Sequence, residues 1–395
     1  MNSRLSTRVQ AVKPSPTLAI TARAAEMRAA GKDVIGLGAG EPDFDTPDHI
    51  KAAAIKAINE GFTKYTAVDG TPALKQAIID KFKRDNGFEY APDQILVSCG
   101  GKQSFFNLAQ AVLDHGDEVI IPAPYWVSYP DMAILAGGEP VFIQAGASQH
   151  FKITAQQLAA AITDKSKLFV INSPSNPTGM AYTEEELLTL GEVLREHPRV
   201  LIATDDMYEH ILWPGKRFVN ILNACPDLAE RTLVLNGVSK AYSMTGWRIG
   251  YAGGPAEIIK AMKKVQSQST SNPTSISQVA AQEALQGPQD CIAEMLTHFK
   301  QRHDYVVERL NNMPGVKCLP ADGTFYCFPN IEGALERIDG VHNDVELAEY
   351  LIEKAGVALV PGAAFGLSGH VRLSIATSMD NLQGALDRLE KVFAG

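Results

Sequence analysis

Between Val234 and Gly254 the chain reads VLNGVSKAYSMTGWRIGYAGG, with one lysine, Lys240, set eight residues before Arg248. Lys240 follows an apolar run, sits in a Gly/Ser/Thr-rich turn and has no acidic neighbour in sequence. A lysine kept for solubility belongs among other charges on a helix face. A desolvated amine in a turn is suited instead to Schiff-base and proton-transfer chemistry. Other polar residues sit at comparable places. Asn176 lies in SPSNPTG after KLFVIN, and Asp205, Asp206 and Tyr208 follow RVLIAT. Trp126 lies in PYW, and SCGG leads into GKQSFF. A glycine turn that opens a helix presents free backbone N–H groups to an anion such as phosphate or carboxylate.

These residues need elements to hold them. TPALKQAIIDKFKRDNG (71–87) has a Thr cap, Pro at the first helical position, helical apolar spacing and a terminal Gly. GKQSFFNLAQAVLDHG (101–116) repeats that form, and TEEELLTLGEVLREH (183–197) opens with a Thr183–Glu186 capping box. DEVIIP (117–122), KLFVIN (167–172), RVLIAT (199–204), TLVLN (232–236) and IGYAGG (249–254) read as apolar strands. Continuous apolar strands separated by amphipathic helices imply a largely parallel sheet covered on both faces. Ligands of such a sheet sit beyond the carboxyl ends of its strands, which is where the polar residues fall. After about residue 285 the pattern changes to a long polar helix (288–312), short strands around FYCF (325–328), a helix near 343–355 and a strand near VALV (357–360). This is a smaller α+β lobe, which the first 45 or so residues are expected to join.

Composition narrows the class. A chain of 395 residues with 45% hydrophobic and 21% charged residues is long enough for two domains. The net charge of −9 argues against nucleic acid and anionic membrane surfaces as partners. The five cysteines, at 99, 225, 291, 318 and 327, form no CxxC pair, so neither a zinc site nor a disulfide framework is expected, and a cytoplasmic location is. No run of ~18 apolar residues predicts a membrane span, and the N-terminus does not read as a secretory signal. GLGAGEP (36–42) is not the GxGxxG of a dinucleotide site.

Taken singly, Asp205 and Asn176 are ordinary turn residues. Their combination has one chemical reason. Pyridoxal phosphate needs a lysine for a Schiff base, an acid at its pyridine nitrogen and an anion site for its phosphate. Asn and Tyr can bind its ring hydroxyl, an Arg its phosphate, and an aromatic ring can stack on it. Lys240, Asp205, Asn176, Tyr208, Arg248 and Trp126 match that set.

GEPDFDTP (40–47), PAPYWVSYP (122–130), NSPSNPTG (172–179), TDDMYEH (204–210) and SKAYSMTGWRIGYAGGP (239–255) together resemble the class I aminotransferases of the pyridoxal-phosphate fold-type I superfamily. The resemblance is greatest to the 1β branch of bacterial aspartate aminotransferases and runs from about Val12 to the C-terminus. It implies an α/β fold: a large domain with a mostly parallel seven-stranded sheet flanked by helices, a smaller α+β domain and an N-terminal arm. The corresponding boundaries are 1–48 for the arm and part of the small domain, 49–285 for the large domain and 286–395 for the small one. It also implies roles. Lys240 is the Schiff-base lysine and proton shuttle, Asp205 pairs with the pyridine nitrogen, Asn176 and Tyr208 bind the ring oxygen, and Trp126 stacks on the ring. Gly101 and Lys102 N–H groups with Arg248 cradle the phosphate, and Tyr65 reaches the cofactor of the partner subunit in a homodimer. Arg372 in GHVRLSIA clamps the substrate α-carboxylate with Asn176, and the Gly40 backbone closes over it.

Two positions depart from the pattern. Relatives place Ser as a phosphate ligand where this chain has Gly237, which leaves open whether Ser239 replaces it, and DEIY becomes DDMY with Asp206. For substrate choice, the branch implies Lys102 against the distal carboxylate of aspartate, and Lys13 in the arm suggests prephenate as a further substrate. The expected reaction is L-aspartate + 2-oxoglutarate = oxaloacetate + L-glutamate by a ping-pong mechanism. Alternatives on the same fold are an aromatic or other amino-acid transaminase and a β-lyase, the latter having no need of Lys102. The aminotransferase-like domain of transcription regulators is a non-enzymatic alternative, against which the acidic composition counts.

Overall fold

The structure, a computed structural model, describes residues 4–394. Its central sheet is built from β2 to β8, which follow a two-residue strand β1 (Ile35–Gly36). These are β2 (Ile95–Ser98), β3 (Glu118–Ala123), β4 (Glu139–Gln144), β5 (Ser166–Asn172), β6 (Leu201–Asp205), β7 (Thr232–Gly237) and β8 (Gly250–Gly253). The seven strands lie in the order β2-β8-β7-β6-β5-β3-β4. β8 alone runs against the others, pairing antiparallel with both β7 and β2. The carboxyl ends of β2, β3, β5, β6 and β7 therefore share one rim.

The apolar strands alternate between two cores, which explains why they are apolar at every position. Leu168 and Val170 of β5 face one side, with Ala203, Leu233 and Leu235. Phe169 and Ile171 face the other, with Ile202 and Val234. Each such aliphatic or aromatic side chain taken wholly from water contributes about 1.5–3 kcal/mol before the entropy cost of ordering it. Helices cover both faces and start where their caps predict. Thr71 Oγ1 accepts from Leu74 N at 3.2 Å, ahead of Pro72. Thr183 Oγ1 accepts from Glu186 N at 3.3 Å while the Glu186 carboxylate accepts from Thr183 N at 2.8 Å. The helix from Pro72 ends at Lys81 and widens into a π-helical turn, Phe82–Asn86, before Gly87 at φ 75°.

A third core, around Phe299, Val306, Phe325, Tyr326 and Leu389, lies beside the sheet. It is packed by the helices Asp290–Asn311 and Met379–Ala394 and by four short strands, β9 (Tyr326–Cys327), β10 (Val357–Ala358), β11 (Val360–Pro361) and β12 (Val371–Ser374). The expected single strand over VALV is divided at Leu359. β10 pairs with β1 in parallel and β11 pairs with β12 antiparallel, so the two halves serve different sheets. Through β1 and Leu37 the N-terminal segment joins this third core. All five cysteines are free thiols. Among the described residues no helix is long and apolar enough to cross a membrane.

Candidate active site

A cavity of about 380 Å³ opens between the sheet rim, the N-terminal segment and β12. It brings together Lys240, Asp205, Asn176, Tyr208, Trp126, Gly101, Lys102, Arg248, Gly40 and Arg372, which the sequence spreads over 333 positions. The topology does this. Asn172 and Asp205 are paired in register at the ends of β5 and β6, and Gly237, three residues before Lys240, is paired with Gly250, two after Arg248. Arg372 comes from the other side, on β12, where Val371 and Leu373 turn into the third core and Arg372 turns into the cavity.

Although the chain is acidic overall, the cavity collects the cations Lys102, Lys240, Arg248 and Arg372 against only two carboxylates, Asp205 and Glu41. The cations' hydrogen-bond partners are neutral. Lys240 Nζ donates to the Gly40 carbonyl at 2.5 Å. Arg372 donates from Nη1 to Asn176 Oδ1 at 2.9 Å and from Nη2 to the Gly38 carbonyl at 2.7 Å. Its buried Nε has no partner. Arg248, held at φ 59°, donates to the carbonyls of Thr245 and Cys99 at 2.7 and 3.2 Å. Lys102 Nζ lies over the Trp126 ring at 5.3 Å. Burial, and then the charge of Arg372, lower the Lys240 pKa from 10.5 to about 8. Burial likewise lowers Arg372, and partial burial with Arg248 nearby lowers Lys102. Arg372 is buried and Lys240 half-buried, while Lys102 and Arg248 are exposed, and four cations around one cavity favour an anionic ligand.

The anion cradle lies at the helix Gly101–Val112. Its cap, Gly100, provides no side-chain hydrogen bond, so the Gly101 and Lys102 N–H groups begin the helix uncapped by a side chain. Gly100 is required there: its φ is 91°, and a Cβ would come within 2.2 Å of Arg248 Nη2. Gly237 is also tight, since a Cβ would stand 3.0 Å from the Ile249 carbonyl oxygen, whereas Ser239 lines the cavity.

Asp205 accepts from Tyr129 Oη at 2.5 Å and from the Met207 N–H at 3.2 Å. Burial raises its pKa, with the Tyr129 bond opposing. Lys240 nearby also lowers it, but among the described residues no cation pairs directly with the carboxylate, and a protonated pyridine nitrogen would. Asp206 points elsewhere: its carboxylate accepts from Asn220 Nδ2 at 2.6 Å. Behind the site the buried Lys81 pairs with Glu209, which also accepts from Asn86 at 2.8 Å and Asn236 at 2.6 Å. The segment thus presents Asp205, Met207 and Tyr208 to the cavity, and Asp206 and Glu209 to buried polar groups behind it.

Two expected site residues lie apart from this cavity. Tyr65 is 92% exposed. Lys13 is exposed, and its backbone N–H donates to Asp131 at 3.4 Å. Conversely, Tyr129, Asn172, Glu41 and Tyr326 belong to the site without having been singled out from the sequence. Asn172 ends β5 and donates to the Asp205 carbonyl at 3.0 Å while accepting from Asn176 N at 2.8 Å. Its position at a strand end was the available signal. Tyr129 lay inside PAPYWVSYP without a role of its own, and Tyr326 carried no signal in the apolar FYCF.

Known proteins are similar to this chain in sequence and fold along its whole length. The family profile for aminotransferase class I and II matches residues 32–389. An aspartate/prephenate aminotransferase of Nitrosomonas europaea is 61% identical, with 99% of this chain and 100% of that one aligned. The solved aspartate aminotransferase of Rhizobium meliloti superposes with a TM-score of 0.96 at 51% identity, covering 100% of this chain and 99% of that one. The aspartate aminotransferase of Thermus thermophilus, solved with maleate, gives 0.92 at 44% identity over 99% and 100%. With a cationic cavity centred on one desolvated lysine and agreement of this extent in both sequence and fold, this chain belongs to the aminotransferase class I and II family and is an aminotransferase.

Proposed function

We propose that the protein is a pyridoxal-phosphate-dependent aspartate aminotransferase that exchanges the amino group of L-aspartate with 2-oxoglutarate and also serves prephenate. The observation that carries this is Lys240 with its pKa brought down to about 8, between Asp205 and Arg372 in a cavity of cations. An amine at that pKa is neutral far more often near neutral pH than an ordinary lysine, and its neutral form can act as a base. The residues present fit the cofactor. The Gly101 and Lys102 N–H groups with Arg248 would hold the phosphate, Asp205 the pyridine nitrogen, Asn176 and Tyr208 the ring oxygen, and Trp126 a ring face.

Pyridoxal phosphate, when bound, supplies the aldehyde carbon and the electron-withdrawing ring that amino-group exchange requires. The chain's own residues do the rest. Arg372 binds and orients the substrate α-carboxylate through donors not used by Asn176 and Gly38. Lys240 Nζ takes the Cα proton. Lys102 meets the distal carboxylate, a reading supported by the relatives named for aspartate and by the Thermus enzyme's complex with the dicarboxylate maleate. The name of the Nitrosomonas relative and the position of Lys13 in the arm support prephenate. Ile55, Ile58 and Phe62 are exposed at 58, 49 and 40% beside the exposed Tyr65, which supports a second copy covering this face as a homodimer. We further read 1–48, 49–285 and 286–395 as arm, large domain and small domain, and a cytoplasmic location from the free cysteines.

The test is to load the protein with pyridoxal phosphate and mix it separately with aspartate, glutamate and cysteine, following the cofactor absorbance and the oxo acids formed. Oxaloacetate and 2-oxoglutarate without ammonia support transamination, and prephenate should then reoxidise the amino form of the cofactor. Pyruvate and ammonia released from cysteine would point to a β-lyase.

A further inference from the structure

Tyr326, on β9, is fully buried and lines the cavity. Its hydroxyl lies 2.9 Å from that of Tyr208. Its ring centre is 4.4 Å from the Arg372 guanidinium, which also has the Phe365 ring at 5.0 Å. A Cβ added at Gly40 would come within 2.9 Å of the same hydroxyl. One side chain therefore touches the phenol assigned to the ring oxygen, the fork assigned to the carboxylate and the backbone whose carbonyl accepts from Lys240.

A phenol has one proton to give and an oxygen that accepts. The bond between the two hydroxyls uses one of their two protons. With Tyr208 as donor, its proton would be spent inside the wall. With Tyr326 as donor, the Tyr208 proton is free for the cavity, and accepting a bond polarises Tyr208 and strengthens its own donation. The ring does separate work. A guanidinium flanked by two aromatic faces is fixed in plane, and its bidentate match to a carboxylate depends on that plane.

Resting on the reading of Tyr208, Lys240 and Arg372 given above, we propose that Tyr326 is a positioning residue with two separable parts: its hydroxyl polarises Tyr208 toward the cofactor ring oxygen, and its ring holds Arg372 in the plane of the substrate carboxylate. The charged groups around the hydroxyl pair are Arg372 from β12, Asp205 from the end of β6 and Lys240 after β7, with Glu41 of the N-terminal segment beyond Lys240. All are retained when Tyr326 is changed to Phe.

The experiment compares wild type, Tyr326→Phe and Tyr326→Leu, each loaded with pyridoxal phosphate, by pH titration of the absorbance of the cofactor held at Lys240 and by kinetics with aspartate and alanine. Phe should raise the titration midpoint by roughly 0.3–1 pH unit, because the ring oxygen is less well stabilised as an anion. It should leave KM for both donors within about threefold, since the ring under Arg372 remains. Leu should raise the midpoint likewise and raise KM for both donors by roughly tenfold or more. An unmoved midpoint in the Phe variant overturns the hydroxyl's part. A Leu variant with the KM values of the Phe variant overturns the ring's part. If wild type neither holds the cofactor covalently nor exchanges amino groups, the proposed function itself fails. If wild type does both and the Phe variant matches it throughout, only the inference fails.

Discussion

Replacing Arg372 by Lys tests the carboxylate site with the charge kept. Arg372 is 2% exposed and has five N–H donors, of which two are spent on Asn176 Oδ1 at 2.9 Å and the Gly38 carbonyl at 2.7 Å. The remaining donors, the unpartnered Nε–H among them, can meet a planar carboxylate in a two-bond fork. A lysine ammonium places its charge at a point and can supply about one of those bonds while also losing the flat contact with Tyr326 and Phe365. A charge-assisted hydrogen bond contributes roughly 1.5–3 kcal/mol and a desolvated cation–aromatic contact up to about 2. The expected loss is therefore about 2–5 kcal/mol, or roughly 30-fold to several thousand-fold in kcat/KM.

Because every amino-acid donor carries an α-carboxylate, the loss should be equal for aspartate, glutamate and alanine. Cofactor content should stay at wild type, since the cradle at Gly101, Lys102 and Arg248 is untouched. The assay is kcat/KM for the three donors from single-turnover absorbance changes, with cofactor content measured in the same samples. A loss confined to the dicarboxylic donors would make Arg372 a side-chain specificity residue, and no loss would remove it from the site.

Lys240→Ala should keep the cofactor without covalent attachment, so that borohydride reduction followed by peptide mapping finds no labelled lysine, and should lower turnover by at least about 10³-fold; near-normal turnover would remove Lys240 from the chemistry. Lys102→Ala should lower kcat/KM for aspartate and glutamate by roughly 10- to 100-fold while sparing alanine, because only a distal carboxylate is stranded by the loss. Equal losses for all donors would return Lys102 to the phosphate cradle. In the cofactor-free protein, Lys240 titrates at about 8 rather than 10.5 because burial and then Arg372 disfavour its charged form. The unfolded chain therefore binds more protons than the folded one between about pH 8 and 10.5, and Lys240's contribution makes stability rise with pH across that window. Urea unfolding of wild type minus Lys240→Met should show that rise and then level off; a flat difference contradicts a desolvated Lys240.

Local order was written along the chain. The Thr71 and Thr183 caps, the Pro72 start and the continuous apolar runs of β5, β6 and β7 act over a few residues, and caps and apolar pattern are set by near neighbours. The residues at the strand ends, Asn176, Asp205, Tyr208 and Lys240, were legible for the same reason: a sheet brings its carboxyl ends to one rim whatever the strand order. Tertiary structure alone decided the rest. That β8 runs antiparallel, and so delivers Arg248 to the rim before the strand begins, follows from strand pairing at a distance. VALV divides because its halves find different partners, one in β1 more than 300 residues away. Tyr129 and Tyr326 read as core aromatics, and only when Asp205 and Tyr208 come within hydrogen-bond reach does either hydroxyl gain a role. The depressed pKa of Lys240 has the same origin, since burial and the nearness of Arg372 exist only once the 131 residues between them have folded. Residue type and local pattern are carried by the chain itself, whereas register, burial and charge proximity are created by packing.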